Sequence, residues 1–125
     1  MEKLIIEKQQ VTPLIDLNSD ENILKFIGKS FPENTFEFYS PVLKWLNEYF
    51  SKTVEVSVEI ELEYLNSSSL KAYFDIFDIF EDSVKNNNSK ISIKWLYDEE
   101  NDIALETGED FIEDFKSLDI LLVKK

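Results

Sequence analysis

From Val54 to Tyr64 the chain alternates without a break. Val54, Val56, Val58, Ile60, Leu62 and Tyr64 are apolar, and Glu55, Ser57, Glu59, Glu61 and Glu63 are not. A period of two with β-branched residues on one side predicts a strand with one buried and one solvated face. After Leu65 the period changes. Leu70, Tyr73, Phe74, Phe77, Phe80 and Val84 recur at three and four, the spacing of one helix face. Asn66, Ser67, Ser68 and Ser69 stand at the joint. Asn and Ser are preferred N-caps, because their side-chain oxygens accept from the unpaired N–H groups of the first turn. One such residue satisfies a cap, and here there are four. Hydroxyls at a helix N-terminus also suit a phosphoacceptor, since the macrodipole tolerates a new dianion there. On the residues alone the joint reads as a plain polar turn or as a regulatory one.

The same two periods sort the rest of the chain. Leu4 to Lys8 is expected to be a short strand, followed by a connection through Thr12-Pro13. Ile23 to Ile27 reads as a second strand, and Asn18 to Asn22 before it has hairpin-turn chemistry. Gly28 to Asn34 reads as a loop containing Pro32. Phe36, Tyr39, Leu43, Leu46 and Phe50 then keep a helical period from Thr35 to Ser51. That period continues across Pro41, which predicts one helix kinked there; the alternative is a fresh start capped by Ser40. Asn86-Asn87-Asn88 makes a return turn. Ile91, Ile93, Trp95 and Tyr97 alternate with Ser92 and Lys94 as another strand, with Lys94 placed to sit across from the glutamates. A third helix is expected from about Asn101 to Ser117, with Ala104, Gly108, Phe111, Ile112 and Phe115 on one side. Ile120 to Val123 closes the series.

These elements predict a single two-layer α/β domain over residues 1–125. Its sheet is mixed and mostly parallel, with about five strands, a hairpin formed by the first two, and three helices on one face. The loops at 28–34, 65–69 and 98–101 should then gather at the carboxyl ends of the strands as one candidate site.

Composition narrows the chemistry. Cysteine and histidine are absent, which removes disulfides, Cys/His zinc sites and the commonest general base. All 13 basic residues are lysine and the net charge is −13, so nucleic acid and anionic membrane surfaces are not expected partners. MEKLIIEKQQ at the start has acids and no long apolar run, so neither a signal peptide nor a span is expected, and the expected location is cytoplasmic. Asp75, Asp78, Glu81 and Asp82 have helical spacing, but no glycine-rich loop accompanies them to cradle a phosphate. Ser67 with Lys71 lacks an oxyanion hole or an orienting third group. No catalytic residue, metal or cofactor is expected. The second helix has a further apolar side in Ala72, Ile76 and Ile79, covered either by a neighbouring helix or by a partner docked beside the serines.

YLNSSSLKAYFDIFD resembles the signature of the SiaC-type regulatory phosphoproteins, whose fold is similar to that of STAS-type anti-sigma-factor antagonists. Tyr64, Leu65, Asn66, Ser67, Ser68, Ser69 and Lys71 fit the pattern, with serine at Ser67 where threonine is often found. Thr12-Pro13, FPENTFEFYSPVLKW at 31–45, Trp95/Tyr97/Asp98 and Gly108-Glu109-Asp110 also fit, so the likeness runs nearly end to end. The resemblance implies phosphorylation at Ser67, with Ser68 and Ser69 as alternates. It implies a serine/threonine kinase that adds the phosphate, a PP2C-type phosphatase that removes it, and an unmodified form that activates a diguanylate cyclase in biofilm signalling. The partner-binding surface expected around the acceptor comprises Glu33, Asn34, Asn66, Ser67, Ser68, Ser69, Lys71, Ala72, Tyr73, Asp75 and Ile76. The competing expectation is a constitutive acidic scaffold whose polar joint is only a cap.

Overall fold

The computed structural model describes residues 1–125. The strands β1 (Leu4–Ile6), β2 (Leu14–Asn18) and β3 (Ile23–Ser30) form an antiparallel meander. From there β4 (Glu55–Leu65), β5 (Lys90–Tyr97) and β6 (Asp119–Lys124) are each parallel to the strand before, giving a six-stranded sheet in chain order. The parallel steps run through α1 (Thr35–Tyr49), α2 (Ser67–Asn87) and α3 (Asp102–Asp114). Crossovers of one hand that all step in the same direction put their helices on one face. Val54, Val56, Val58, Ile60 and Leu62 are accordingly buried, while Glu55 and Glu63 are exposed and Glu59 and Glu61 half-exposed on the other side. Lys94 stands opposite Glu59 in the ladder, as the alternation requires.

Asparagine starts every helix. Asn34, Asn66 and Asn101 each cap one, accepting from the backbone N–H of Glu37, Ser69 and Ala104 at 3.0, 2.8 and 3.0 Å. Aromatic rings fill the space between helices and sheet: Phe77 lies 4.5 Å from Phe111 between centroids, and Phe74 stacks on Phe111 at 4.7 Å. Each such pair adds about 0.5–1.5 kcal/mol beyond the area it buries. Gly108 is what lets α3 lie so close, since a Cβ there would meet Trp95 Cδ1 at 2.7 Å and Leu122 Cδ2 at 2.8 Å.

Several expectations are corrected. The sheet has six strands because Leu14–Asn18, read as connection, pairs on both sides. It buries Ile15 and Leu17 completely and turns Asp16 to the open face. The turn at 19–22, with Asn22 at φ 55°, therefore joins β2 to β3 and leaves β1 at the sheet edge. β3 does not stop at Ile27. A bulge between Gly28 and Lys29, with Gly28 at φ +135°, carries it on to Ser30 and shortens the loop to 31–34. One helix does run through Pro41, which sits on an exposed face of α1. Phe36 leaves the apolar stripe of α1: in the first turn of the helix it is 80% exposed. Ile112 stands at the rim of α3, and that helix ends at Asp114 with Phe115 as its cap.

Candidate functional site

The carboxyl ends of β3 and β4 bring two helix N-termini together. Asn66 leaves β4 with its N–H donating to the Ser30 carbonyl (3.0 Å), so the α2 start is tied to the end of β3. The three serines that follow point in three directions, and their environments differ sharply. Ser69 is fully buried, and its Oγ lies 2.7 Å from Ser30 Oγ. Ser30 Oγ lies 2.7 Å from Tyr39 OH, and Tyr39 OH donates to Tyr73 OH at 3.0 Å. Each hydroxyl has one proton to give. With Tyr39 giving its own to Tyr73, Ser30 must donate to Tyr39 and Ser69 to Ser30. A one-way chain of four hydroxyls thus runs from the helix terminus into the core, joining α2, β3 and α1.

Burial raises Tyr39 from the usual 10.0 to about 12, against smaller lowering effects from its hydrogen bonds to Ser30 and Tyr73. Burial likewise pushes Tyr73 well above its ordinary value, with Tyr39 beside it adding to the rise. Both phenols are therefore neutral throughout the physiological range.

Ser68 is exposed and engaged. Its Oγ lies 2.6 Å from Thr35 Oγ1 in the first turn of α1, and it also donates to Asn66 Oδ1 at 3.3 Å. Ser67 is exposed, occupies the first helical position and has no hydrogen-bond partner for its hydroxyl. Lys71 is exposed one turn further on, at the i+4 spacing that shares a helix face with Ser67. Asp75 is exposed on the next turn, and Glu33 and Asn34 are exposed at the entry to α1.

Three residues expected on the docking surface are not on it. Ala72, Tyr73 and Ile76 are 7%, 0% and 0% exposed, because α1 packs along that side of α2 and covers its second apolar flank. Ser69, the second alternate acceptor, is sealed in the hydroxyl chain. What is presented instead is Phe36, beside a groove of about 200 Å³ between the first turns of α1 and α2. Thr35, Ser68, Lys71 and Asp75 line it, with Ala72 among the residues beneath. Periodicity could not have found Phe36, since its spacing fits the buried stripe; only its position next to the cap separates it.

The third loop reaches the same edge by another bond. Asn101 Nδ2 donates to the Glu63 carbonyl at 3.0 Å, bridging β4 to α3 where the β4–β5 ladder has already ended at Ile60 and Trp95. A cleft of about 860 Å³ opens there, lined by Glu61, Glu63, Tyr64, Tyr97, Asp98 and Lys125 among others. Elsewhere on α2, Asp78 is raised from its ordinary value by partial desolvation first, and then by Asp75 and Glu81 beside it.

A mixed six-stranded sheet with three helices on one face and its polar loops at the carboxyl edge defines a two-layer α/β class. Within that class the chain belongs to the SiaC family of regulatory phosphoproteins, whose model matches residues 6–125. An uncharacterised protein of Pseudomonas aeruginosa (strain UCBPP-PA14) is 33% identical over 115 residues, covering 91% of this chain and 90% of that one. The solved structure of SiaC of Pseudomonas aeruginosa superposes with a TM-score of 0.91 at 30% identity, covering 100% of both chains. A chain from the crystal structure of the diguanylate cyclase SiaD in complex with its activator SiaC, from the same organism, gives 0.90 at 31% identity over 98% of this chain and 99% of that one.

Proposed function

We propose that this chain is a phosphorylation-controlled activator of a diguanylate cyclase, active in its unmodified form and switched off by a phosphate on Ser67. The observation that carries the choice of residue is the sorting of the three serines: Ser69 is buried, Ser68 is bonded to Thr35, and Ser67 alone offers a free, exposed hydroxyl. The choice of partner rests on the family and on SiaC of Pseudomonas aeruginosa, which is the activator of SiaD in the complex. A serine/threonine kinase and a PP2C-type phosphatase complete the cycle.

The physics of the switch is local. Phosphate adds roughly −1.5 to −2 charge at neutral pH and strong acceptor oxygens. At Ser67 it meets the N-terminus of α2, with the N-terminus of α1 alongside and Lys71 one turn away, so the fold tolerates it. A cyclase docked on Phe36 and the neutral serine surface instead meets a dianion that resists desolvation, on a rim that already carries Glu33, Glu37 and Asp75. Binding is lost while folding is kept.

Phosphosite mapping by mass spectrometry from cells, paired with recovery of cyclase on wild-type, Ser67→Ala and Ser67→Asp protein, is the test. Ser67 should be the modified residue, the alanine variant should recover cyclase at all times, and the aspartate variant should recover less. No modification under any condition, with equal recovery by all three proteins, makes the chain a constitutive scaffold.

A further inference from the structure

The sheet face away from the helices carries an ordered row of side chains. In register across all six strands it reads Ile5, Asp16, Lys25, Glu59, Lys94, Leu121. Ile5 is 54% and Leu121 58% exposed. The four charged residues alternate in sign, yet none closes an ion pair within the chain; the pairs that form are Lys3–Asp20, Lys85–Glu81, Lys124–Glu99 and Lys125–Glu61. Two residues nearer the carboxyl ends, Leu14, Ile27, Leu96 and Val123 are half-buried on the same open face around a central Glu61 that pairs with Lys125, with no helix above them.

The order of the row matters more than its composition. Rotation by half a turn about an axis parallel to the strands, placed above the gap between β3 and β4, brings a second sheet face to face with the first. That operation sets β1 against β6, β2 against β5, and β3 against β4 of the second copy. Ile5 then meets Leu121, Asp16 meets Lys94 and Lys25 meets Glu59, each pairing occurring twice. Within this row every charge faces its opposite and the apolar ends face each other, while in the next row Glu61, already paired with Lys125 of its own chain, stands opposite Ile27. A two-fold interface requires this self-complementarity, and sheets packed this way lie about 10 Å apart.

From this we infer that the open sheet face is a homodimer interface, its occupant a second copy of this chain. The face row is itself neutral, with two acids and two lysines, whereas the whole chain carries −13. Association therefore needs enough salt to screen the net repulsion without erasing pairs that become partly buried. The surface is separate from the α2 N-terminus, which lies in the helix layer, and does not depend on the role proposed for Ser67.

Charge exchange tests it with the full chain. The Lys25→Glu variant sets a carboxylate at position 25 against Glu59 of the second copy, twice over. The Glu59→Lys variant sets an ammonium at position 59 against Lys25 of the second copy, again twice. Each variant alone repels itself. An equimolar mixture restores both opposite-charge pairs across the axis, because the carboxylates of one variant then meet the ammonium groups of the other. Sedimentation velocity at physiological ionic strength and up to about 1 mM protein is the readout, with circular dichroism to confirm that both variants fold. Wild type should dimerise, each variant alone should dimerise at least about tenfold more weakly, and the mixture should recover the dimer. Three results overturn the inference: a wild type that stays monomeric throughout, variants that dimerise as well as wild type, and a mixture that does not recover.

Discussion

The two termini of α2 put serine to different uses. At the carboxyl end Ser83 Oγ and Ser89 Oγ lie 2.7 Å apart, Ser89 Oγ accepts from the Val54 N–H at 3.0 Å, and Asn88 in the left-handed region closes the turn. At the amino end Ser69 and Ser30 make a pair of the same length. Both pairs are buried, and both fix the helix to the sheet. The carboxyl end stops there. The amino end adds two more serines, one tied to α1 and one free, with Phe36 exposed beside them. A hydroxyl that holds the fold is buried and answered within the chain, whereas one available to a partner is exposed and unanswered. Residue type alone does not separate them.

The sharpest way to break that distinction is to place a charge at each kind of serine. Ser69→Asp puts a carboxylate into the hydroxyl chain with no cation to meet it, and should cost about 3 kcal/mol or more. Thermal unfolding should show a fall in Tm of roughly 10 °C. Ser83→Asp at the other end should behave alike. Ser67→Asp should leave Tm nearly unchanged, and a large fall there would erase the contrast between the two kinds of serine.

Replacing the cap is a middle case. Asn66→Ala removes the acceptor for the Ser69 N–H and one contact of Ser68, and should cost about 1 kcal/mol in chemical denaturation. Asn34→Ala should cost a similar amount by removing the equivalent cap of α1.

The hydroxyl chain also predicts a pH dependence. Burial holds the proton on Tyr39 up to about 12, whereas the unfolded chain loses it near the usual 10.0. Between those values unfolding releases a proton, so stability is complete below about 10 and falls as pH rises towards 12. Tyr73, raised for the same main reason, steepens the fall. Denaturation midpoints measured across pH 8 to 12 should show the decline, and Tyr39→Phe should lessen it, leaving the part due to Tyr73.

The smallest effect is the one that defines the site. Ser67→Ala removes a hydroxyl that bonds to nothing in the chain, and should change stability by no more than about 0.5 kcal/mol in the same denaturation assay.

The sequence made much of this visible and hid particular parts. Alternation in β4 and β5 announced the one-sided sheet, because period-two patterning reports burial on one face directly. The change of period after Leu65 placed the start of α2 at the Asn66–Ser69 joint, but only the structure shows which of the four residues is the cap. β2 escaped because five residues containing Asp16 and Asn18, directly after Pro13, resemble connection more than strand. Its identity comes from pairing on both edges, which is a long-range fact. The gathering of loops followed from parallel topology, and hydrogen bonds through Ser30, Thr35 and Asn101 bear it out. Ala72, Tyr73 and Ile76 were misplaced because a helix pattern shows how much of its circumference is apolar, not which neighbour covers it. The three serines looked alike for the same reason: what separates them is the partner across the gap, Ser30 or Thr35 or none.

Most direct is a titration of the cyclase recovered with wild-type protein against protein carrying a phosphate on Ser67 alone. The phosphoprotein should keep a Tm close to that of the unmodified protein and bind cyclase at least about tenfold more weakly, with activation lost in parallel. Protein phosphorylated at Ser67 that binds and activates the cyclase as well as the unmodified form would rule out the switch at Ser67.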